Sequence, residues 1–268
     1  MNLRFAKMSG AGNDFVLVRA GDLKGRSPAV LAKRLCDRRR GIGADGLLVV
    51  EPRSGALGLA YFNADGSRAF CGNGSRCAVW YGHESGLVRG RRTRLDADGT
   101  RLEAEVTGRE QVRLRMPEPK DVRLGLPVPT GGRHLTVHHI DTGVPHAVVF
   151  VPGLESVPVE TLGRELRRHR LFRPAGANVD FVATAGRGLS LRTYERGVEA
   201  ETLACGTGVV ASALVAALLG KVKSPVRCLT RGGDTLTVQF RYSASESRFS
   251  DVWLEGPAKI VFEGEIDV

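Results

Sequence analysis

The chain has 268 residues, a net charge of +10, 42% hydrophobic and 25% charged residues, which excludes a disordered chain, a collagen and a coiled coil. At about 150 residues per domain, the length fits one large domain or two smaller ones. The longest mostly apolar run, 209–219, is about half of what a bilayer-spanning helix needs, and the opening MNLRFAKMSGAGNDF has no apolar signal-peptide core, so a cytoplasmic protein without a membrane partner is expected. The basic groups at 38–40, 89–94 and 164–173 have little aromatic interleaving. They read as solvated surface, and a nucleic-acid partner is not expected. The odd set Cys36, Cys71, Cys77, Cys205 and Cys228 holds no C-x-x-C pair, which argues against a disulfide framework and a structural zinc site.

In chain order, 15–19, 46–50, 59–62 and 111–115 read as strands. Between the first two, 29–38 reads as a helix entered by Ser27 as N-cap and Pro28 at the first position. The stretch 116–130 carries four prolines and marks a domain boundary. Beyond it, 136–140, 147–151, 180–183, 189–194, 236–242 and 251–254 again read as strands. Cys71-Gly-Asn-Gly opens a helical segment at 75–87, and Cys205-Gly-Thr-Gly opens another at 209–219. The second is apolar nearly all round and therefore belongs inside its own domain. The two cysteines stand 134 residues apart, half of 268. Each follows a β-rich segment with a carboxylate, Asn63-Ala-Asp-Gly in one half and Glu195-Arg-Gly in the other. This is the pattern of an internal duplication.

A cysteine ahead of two glycines and a helix sits beside unpaired N–H groups and the positive end of the helix dipole. Both favour a thiolate, and the same N–H groups can cradle a carboxylate or phosphate. Two such motifs suggest a pair of acid–base groups flanking one substrate atom, one thiolate removing a proton and one thiol returning it. The bland readings are Cys36, Cys77 and Cys228 as packed core, Asp65 as a turn cap, and Asn13 and Asn178 as turn residues. Gly10-Ala-Gly-Asn-Asp is not read as a dinucleotide loop, because no buried strand is expected before it and the third glycine is missing.

The segments KMSGAGNDF (7–15), DRRRGIGADG (37–46), FNADGSRAFCGNGSRC (62–77), GVPHAV (143–148), GANVDFV (176–182), YERGVEAETLACGTG (194–208) and GPAKIVFEGEI (256–266) run from end to end. Together they resemble the diaminopimelate epimerases, cofactor-independent enzymes of lysine and cell-wall biosynthesis. The resemblance implies an α+β fold of two pseudo-symmetric domains, each a mixed, mostly antiparallel β-sheet or barrel wrapped around a central helix. The domains would be 1–118, with a final strand at 256–268 returning to it, and 119–255. It implies Cys71 and Cys205 as the catalytic pair, with no cofactor or metal. Asn13, Asn63, Asn178, Glu195 and Arg196 match substrate contacts, and the amides of Gly72, Asn73, Gly206 and Thr207 match those holding the reacting carboxylate. His146 and Glu195 match groups that tune the cysteines. The family commonly forms homodimers on a small-molecule substrate. Three positions depart from it. Many members have Asn where this chain has Val144, some have Gln at Gly46, and the segment at 198–201 is one residue longer than usual.

Overall fold

The computed structural model describes residues 2–130 and 133–268. The chain divides into two compact units, Met1–Arg115 with Glu255–Val268, and Met116–Leu254. In chain order the first contributes β1 (Asn2–Gly10), β2 (Asn13–Arg19), α1 (Pro28–Leu35), β3 (Gly46–Arg53), β4 (Ala56–Asn63), α2 (Gly72–Glu84), β5 (Arg92–Ala97), β6 (Thr100–Gly108) and β7 (Gln111–Arg115). The second contributes β8 (Lys120–Thr130), β9 (Arg133–Asp141), β10 (Pro145–Phe150), α3 (Val159–Arg167), β11 (Asn178–Ala185), β12 (Gly188–Glu195), β13 (Ala200–Thr202), α4 (Gly206–Leu218), β14 (Val226–Leu229), β15 (Thr235–Ser243) and most of β16 (Arg248–Pro257). The last strand, β17 (Lys259–Asp267), pairs antiparallel with β1, Asn2 opposite Asp267.

In the first unit β1 and β2 form a hairpin, β3 runs parallel to β2, β4 antiparallel to β3, β5 parallel to β4, and β6 and β7 continue antiparallel. In the second, β9 and β10 are antiparallel, β11 runs parallel to β10, β12 antiparallel to β11, β14 parallel to β12, and β15 antiparallel to β14. A helix fills each matching gap: α1 and α3 in the first parallel crossover, α2 and α4 in the second. Such crossovers are what parallel neighbours require. The sequence repeat is therefore a repeat of topology. Within its own unit α2 packs on β1 to β7 and β17, and α4 on β9, β10, β11, β12, β14 and β15. Its unbroken run of buried residues from Gly208 to Ala216 explains why α4 is apolar on every side. One core forms around α2 from Met8, Phe15, Leu17, Leu48, Leu57 and Val79; in the second unit Val149, Leu166, Phe181 and Tyr194 pack sheet against α3.

Several boundaries differ from expectation. Both cysteine-led helices begin three residues earlier, at Gly72 and Gly206, because Cys71 (φ −139°, ψ 113°) and Cys205 (φ −120°, ψ 109°) are themselves the extended N-cap residues. Helix α1 stops at Leu35 because Asp37 Oδ1 accepts the backbone N–H groups of Arg39 and Arg40, both at 2.8 Å, and turns the chain. The division between the two units falls at the start of the proline-rich stretch, between Arg115 and Met116. Residues 120–130 of that stretch form β8, whose ladder to β9 breaks register twice. A buried-and-exposed strand, β1, does precede Gly10. It leads into a hairpin through Ala11 (φ 50°) and Gly12 (φ 91°), a two-residue turn of the I′ kind, and not into a helix. No helix is long and apolar enough to cross a membrane among the described residues.

Candidate active site

In the first unit the site grows from the start of α2. As N-cap residue, Cys71 holds its Sγ 3.4 Å from the Gly74 N–H, which donates to it, and the thiol is half-buried. Gly72 and Asn73 supply the first-turn N–H groups, which helical geometry leaves without intrahelical partners. A Cβ on Gly72 would meet nothing within 4 Å, so the approach to this turn is open. The Asn73 side chain is fixed on both ends. Arg76, fully buried, donates to its Oδ1 at 2.6 Å, and its Nδ2 donates to Asn13 Oδ1 at 2.8 Å. Asn13 Nδ2 in turn donates to Asp45 Oδ2 at 2.9 Å. The result is a row of two amides polarised from a buried cation to a carboxylate. Asp45 is itself held by Arg38, which also clamps Asp14. Burial alone would raise Asp14, but hydrogen bonds from Arg38 and Lys7 outweigh it and hold the carboxyl at about 2. Asn63 is not tied into this row. Its Nδ2 donates to Ser67 Oγ at 2.9 Å, while Asp65 accepts Ser67 N–H and O–H, so both close the turn ahead of Cys71.

In the second unit the site grows from the start of α4. Cys205 is buried, with Sγ 3.4 Å from Thr207 Oγ1. Burial pushes its thiol up, Glu195 and then Asp180 add to the rise, and the Thr207 hydroxyl and Gly208 N–H oppose it. Glu195, last residue of β12, is raised by burial, with Asp180 adding to the rise. His146 lies on β10 and Asn178 on β11, opposite each other in the parallel register. His146 Nδ1 stands 2.7 Å from Asp180 Oδ2, and its Nε2 is 3.4 Å from Asn178 Nδ2. Asn178 Oδ1 accepts the Arg196 backbone N–H at 2.8 Å. The Arg196 guanidinium reaches the carbonyls of Ala175 and Gly176 at 3.4 and 3.5 Å. Thr193 donates to Asp180 Oδ1 at 2.7 Å.

Thus Cys71, Gly72, Asn73 and Asn13 form one constellation, and Cys205, Gly206, Thr207, His146, Asn178, Glu195 and Arg196 another. Sequence reasoning did not single out Asp180, Thr193, Arg76 or Asp45. Asp180 had a readable signal, a lone carboxylate inside the apolar run of β11. Cys36, Cys77 and Cys228 are buried. Burial pushes Cys36 up to about 11 and both others to about 12, which fits packed, unreactive thiols.

The departures at Gly46 and 198–201 have physical accounts. A Cβ at Gly46 would lie 2.4 Å from Phe62 O and from the Tyr61 ring, so no side chain fits there. The longer segment is absorbed by a hairpin turn. Glu195 pairs with Ala200, Glu199 takes φ 58°, and the Glu199 N–H donates to Glu195 O at 2.8 Å. Glu199 is further held by Arg167 at 2.7 Å. No group of three or more His, Cys, Asp or Glu placed to hold a metal ion occurs among the described residues.

Two paired cysteine-capped helices in an α+β repeat define a two-domain fold shared with known isomerases. Similar solved structures include a Bacillus anthracis phenazine biosynthesis protein of the PhzF family, with TM-score 0.76, 15% identity and complete coverage of both chains. Another is an Agrobacterium vitis hydroxyproline epimerase with trans-4-hydroxy-L-proline bound, with TM-score 0.69, 17% identity, and coverage of 99% of this chain and 92% of that one.

Sequence comparison is narrower. The family model for diaminopimelate epimerase matches residues 5–122 and 138–249. The diaminopimelate epimerase of Chlorobaculum tepidum is 46% identical over 97% of this chain and 99% of its own. That of Methanocella arvoryzae is 39% identical over 99% and 97%. The chain belongs to the diaminopimelate epimerase family and is an isomerase.

Proposed function

We propose that this chain interconverts LL- and meso-2,6-diaminopimelate by a two-thiol mechanism, serving lysine and peptidoglycan biosynthesis. One thiolate takes the proton from an α-carbon and its electron pair remains on the substrate, delocalised into the carboxylate. A thiol returns a proton to the opposite face of that carbon, inverting it. Cys71 and Cys205 are the pair in this reading, and it calls on no cofactor. The observation that carries it is the repeat itself. Family membership comes with two cysteines, each N-capping the helix of an equivalent crossover, with glycines in the first turn. Helix N-terminal amides stabilise the charge that develops on the carboxylate; those of Gly72, Asn73, Gly206 and Thr207 take that part. Asn13, Asn63, Asn178, Glu195 and Arg196 hold the two amino-acid ends, the Arg196 guanidinium suiting a carboxylate. His146 and Glu195 set the field at the thiols. The family also implies a cytoplasmic homodimer, which sedimentation of the purified protein reads directly.

Reduced protein in heavy water with LL-diaminopimelate and no added cofactor tests this by proton NMR. The meso isomer should appear with deuterium at the α-carbon, and Cys71→Ala and Cys205→Ala should each abolish its formation. Folded, reduced protein that exchanges no α-proton overturns the assignment.

A further inference from the structure

The hydrogen bonds around His146 settle its tautomer, starting from a group whose role cannot change. The backbone N–H of Arg196 can only donate, so the atom of Asn178 facing it at 2.8 Å is the carbonyl Oδ1. The Asn178 amide nitrogen therefore faces His146 Nε2, 3.4 Å away. An amide NH2 also only donates, so Nε2 must offer its lone pair. The ring proton is then on Nδ1, and it points at Asp180 Oδ2, 2.7 Å away. Both side chains are wholly excluded from solvent, so water cannot stand in for either partner. Asp180 Oδ1 is occupied as well, by the Thr193 hydroxyl at 2.7 Å. The remaining neighbour is the first turn of α4, where Gly208 leaves room; a Cβ there would fall 2.3 Å from Asp180 Oδ1 and 3.3 Å from His146 Cε1.

We propose that Asp180 is a positioning residue of the epimerase site, locking His146 in the Nδ1–H tautomer and through Asn178 setting the Glu195–Arg196 turn. The role rests on the function proposed above, since it matters to catalysis only if that turn holds substrate. Asp180 does not touch the reacting atoms. It acts along one directed row: Arg196 N–H to Asn178 Oδ1, Asn178 Nδ2 to His146 Nε2, His146 Nδ1–H to Asp180. With the acceptor at 180 gone, the buried Nδ1–H has no partner and the Nδ1–H form loses the preference Asp180 gives it; wherever the proton moves to Nε2, the Asn178 amide must flip and Arg196 loses its bond.

The test uses the full-length, 15N-labelled protein without ligand. Long-range nitrogen–proton spectra distinguish a protonated from a bare ring nitrogen, and kinetics on diaminopimelate follow in parallel. Wild type should show Nδ1 protonated and Nε2 bare. Asp180→Ala should shift His146 toward the Nε2–H form and raise KM about tenfold, equivalent to ~1.4 kcal/mol, with a smaller fall in kcat. Asp180→Asn keeps a carbonyl for Nδ1–H, with Thr193 turning its hydroxyl to accept, and should restore the tautomer and most of the KM. An Nε2–H tautomer in wild type overturns the proposal even if the alanine variant does not fold. So does an alanine variant with wild-type tautomer and KM, or an asparagine variant as impaired as alanine. If wild type turns over no diaminopimelate, the functional reading fails on its own, and the spectra still decide whether Asp180 sets the tautomer.

Discussion

Replacing Gly208 by alanine sets helix propensity against packing at the site. Inside an ordinary helix the change gains about 1 kcal/mol. At Gly208 the new Cβ would stand 2.3 Å from Asp180 Oδ1 and 3.1 Å from its Cγ. Asp180 has nowhere to go cheaply, since each carboxylate oxygen is held at 2.7 Å, by Thr193 and by His146. Overpacking costs about 1–3 kcal/mol, and losing one buried bond to a charged group costs about 1.5–3 kcal/mol. Against the propensity gain, Gly208→Ala should be destabilised by roughly 1.5 to 5 kcal/mol. Gly74→Ala is the matched control at the equivalent position of α2. There the nearest atom is Leu48 Cδ2 at 2.9 Å, the end of a side chain that can swing, and the next contacts are ordinary ones to Phe15. It should fall within about 1 kcal/mol of wild type. Urea midpoints followed by circular dichroism compare the two, and the deuterium-exchange assay compares their activity. Equal midpoints would show that the close approach of Asp180 to α4 carries no energetic weight.

Gly46→Gln, which would restore the side chain some relatives carry, should lower the melting temperature by several degrees, because its Cβ meets Phe62 O and the Tyr61 ring at 2.4 Å. The buried thiols Cys36, Cys77 and Cys228 are held above the ordinary value of 9.0. Their stabilisation is therefore complete below pH 9, and is lost above it at up to about 1.4 kcal/mol per pH unit for each thiol. Urea titrations at pH 8, 9 and 10 should show this decline, and Cys228→Ala should flatten it. Arg76→Met removes the bond at 2.6 Å that orients Asn73. Stability should drop by about 1.5–3 kcal/mol, with a KM increase if the Asn73–Asn13 row binds substrate.

The strands with unbroken apolar runs, such as 46–50 and 147–151, could be read from the sequence, and so could both glycine-led helices, because burial on two faces or on all sides leaves a continuous signal. Strands β5 and β6 could not. They alternate charges on an outward face, with Arg92 opposite Glu105 in register and bonded to it. Helix α3 was legible in principle through Val159, Leu162, Gly163 and Leu166. Its arginines mask that stripe as surface charge, and Gly163 occupies a contact position because Tyr194 Cβ would lie 2.4 Å from any Cβ there. The cysteine motifs carried local chemistry that residue types reveal. Asp180 and Arg76 act through partners far away in sequence, His146 for one and Asn13 by way of Asn73 for the other, and no local pattern announces such pairs.

The two halves share a topology, yet the environments at their helix starts differ. Cys71 is half-buried with a helix N–H on its sulfur. Cys205 is buried, and two carboxylates, Glu195 and Asp180, bear on it after burial itself. Negative charge and desolvation both penalise a thiolate, so burial and the two carboxylates favour the thiol form of Cys205, which in the proposed two-thiol mechanism suits it to donate the proton. A 13Cβ titration of cysteine-labelled protein should find Cys205 unchanged well past 9.0, the ordinary thiol value. Glu195→Gln removes the larger of the two carboxylate contributions while keeping the side chain's size, so it should bring the titration down. Titration of Cys205 at or below 9.0 in wild type, or no downward movement in Glu195→Gln, would mean that the Glu195 charge does not govern the thiol.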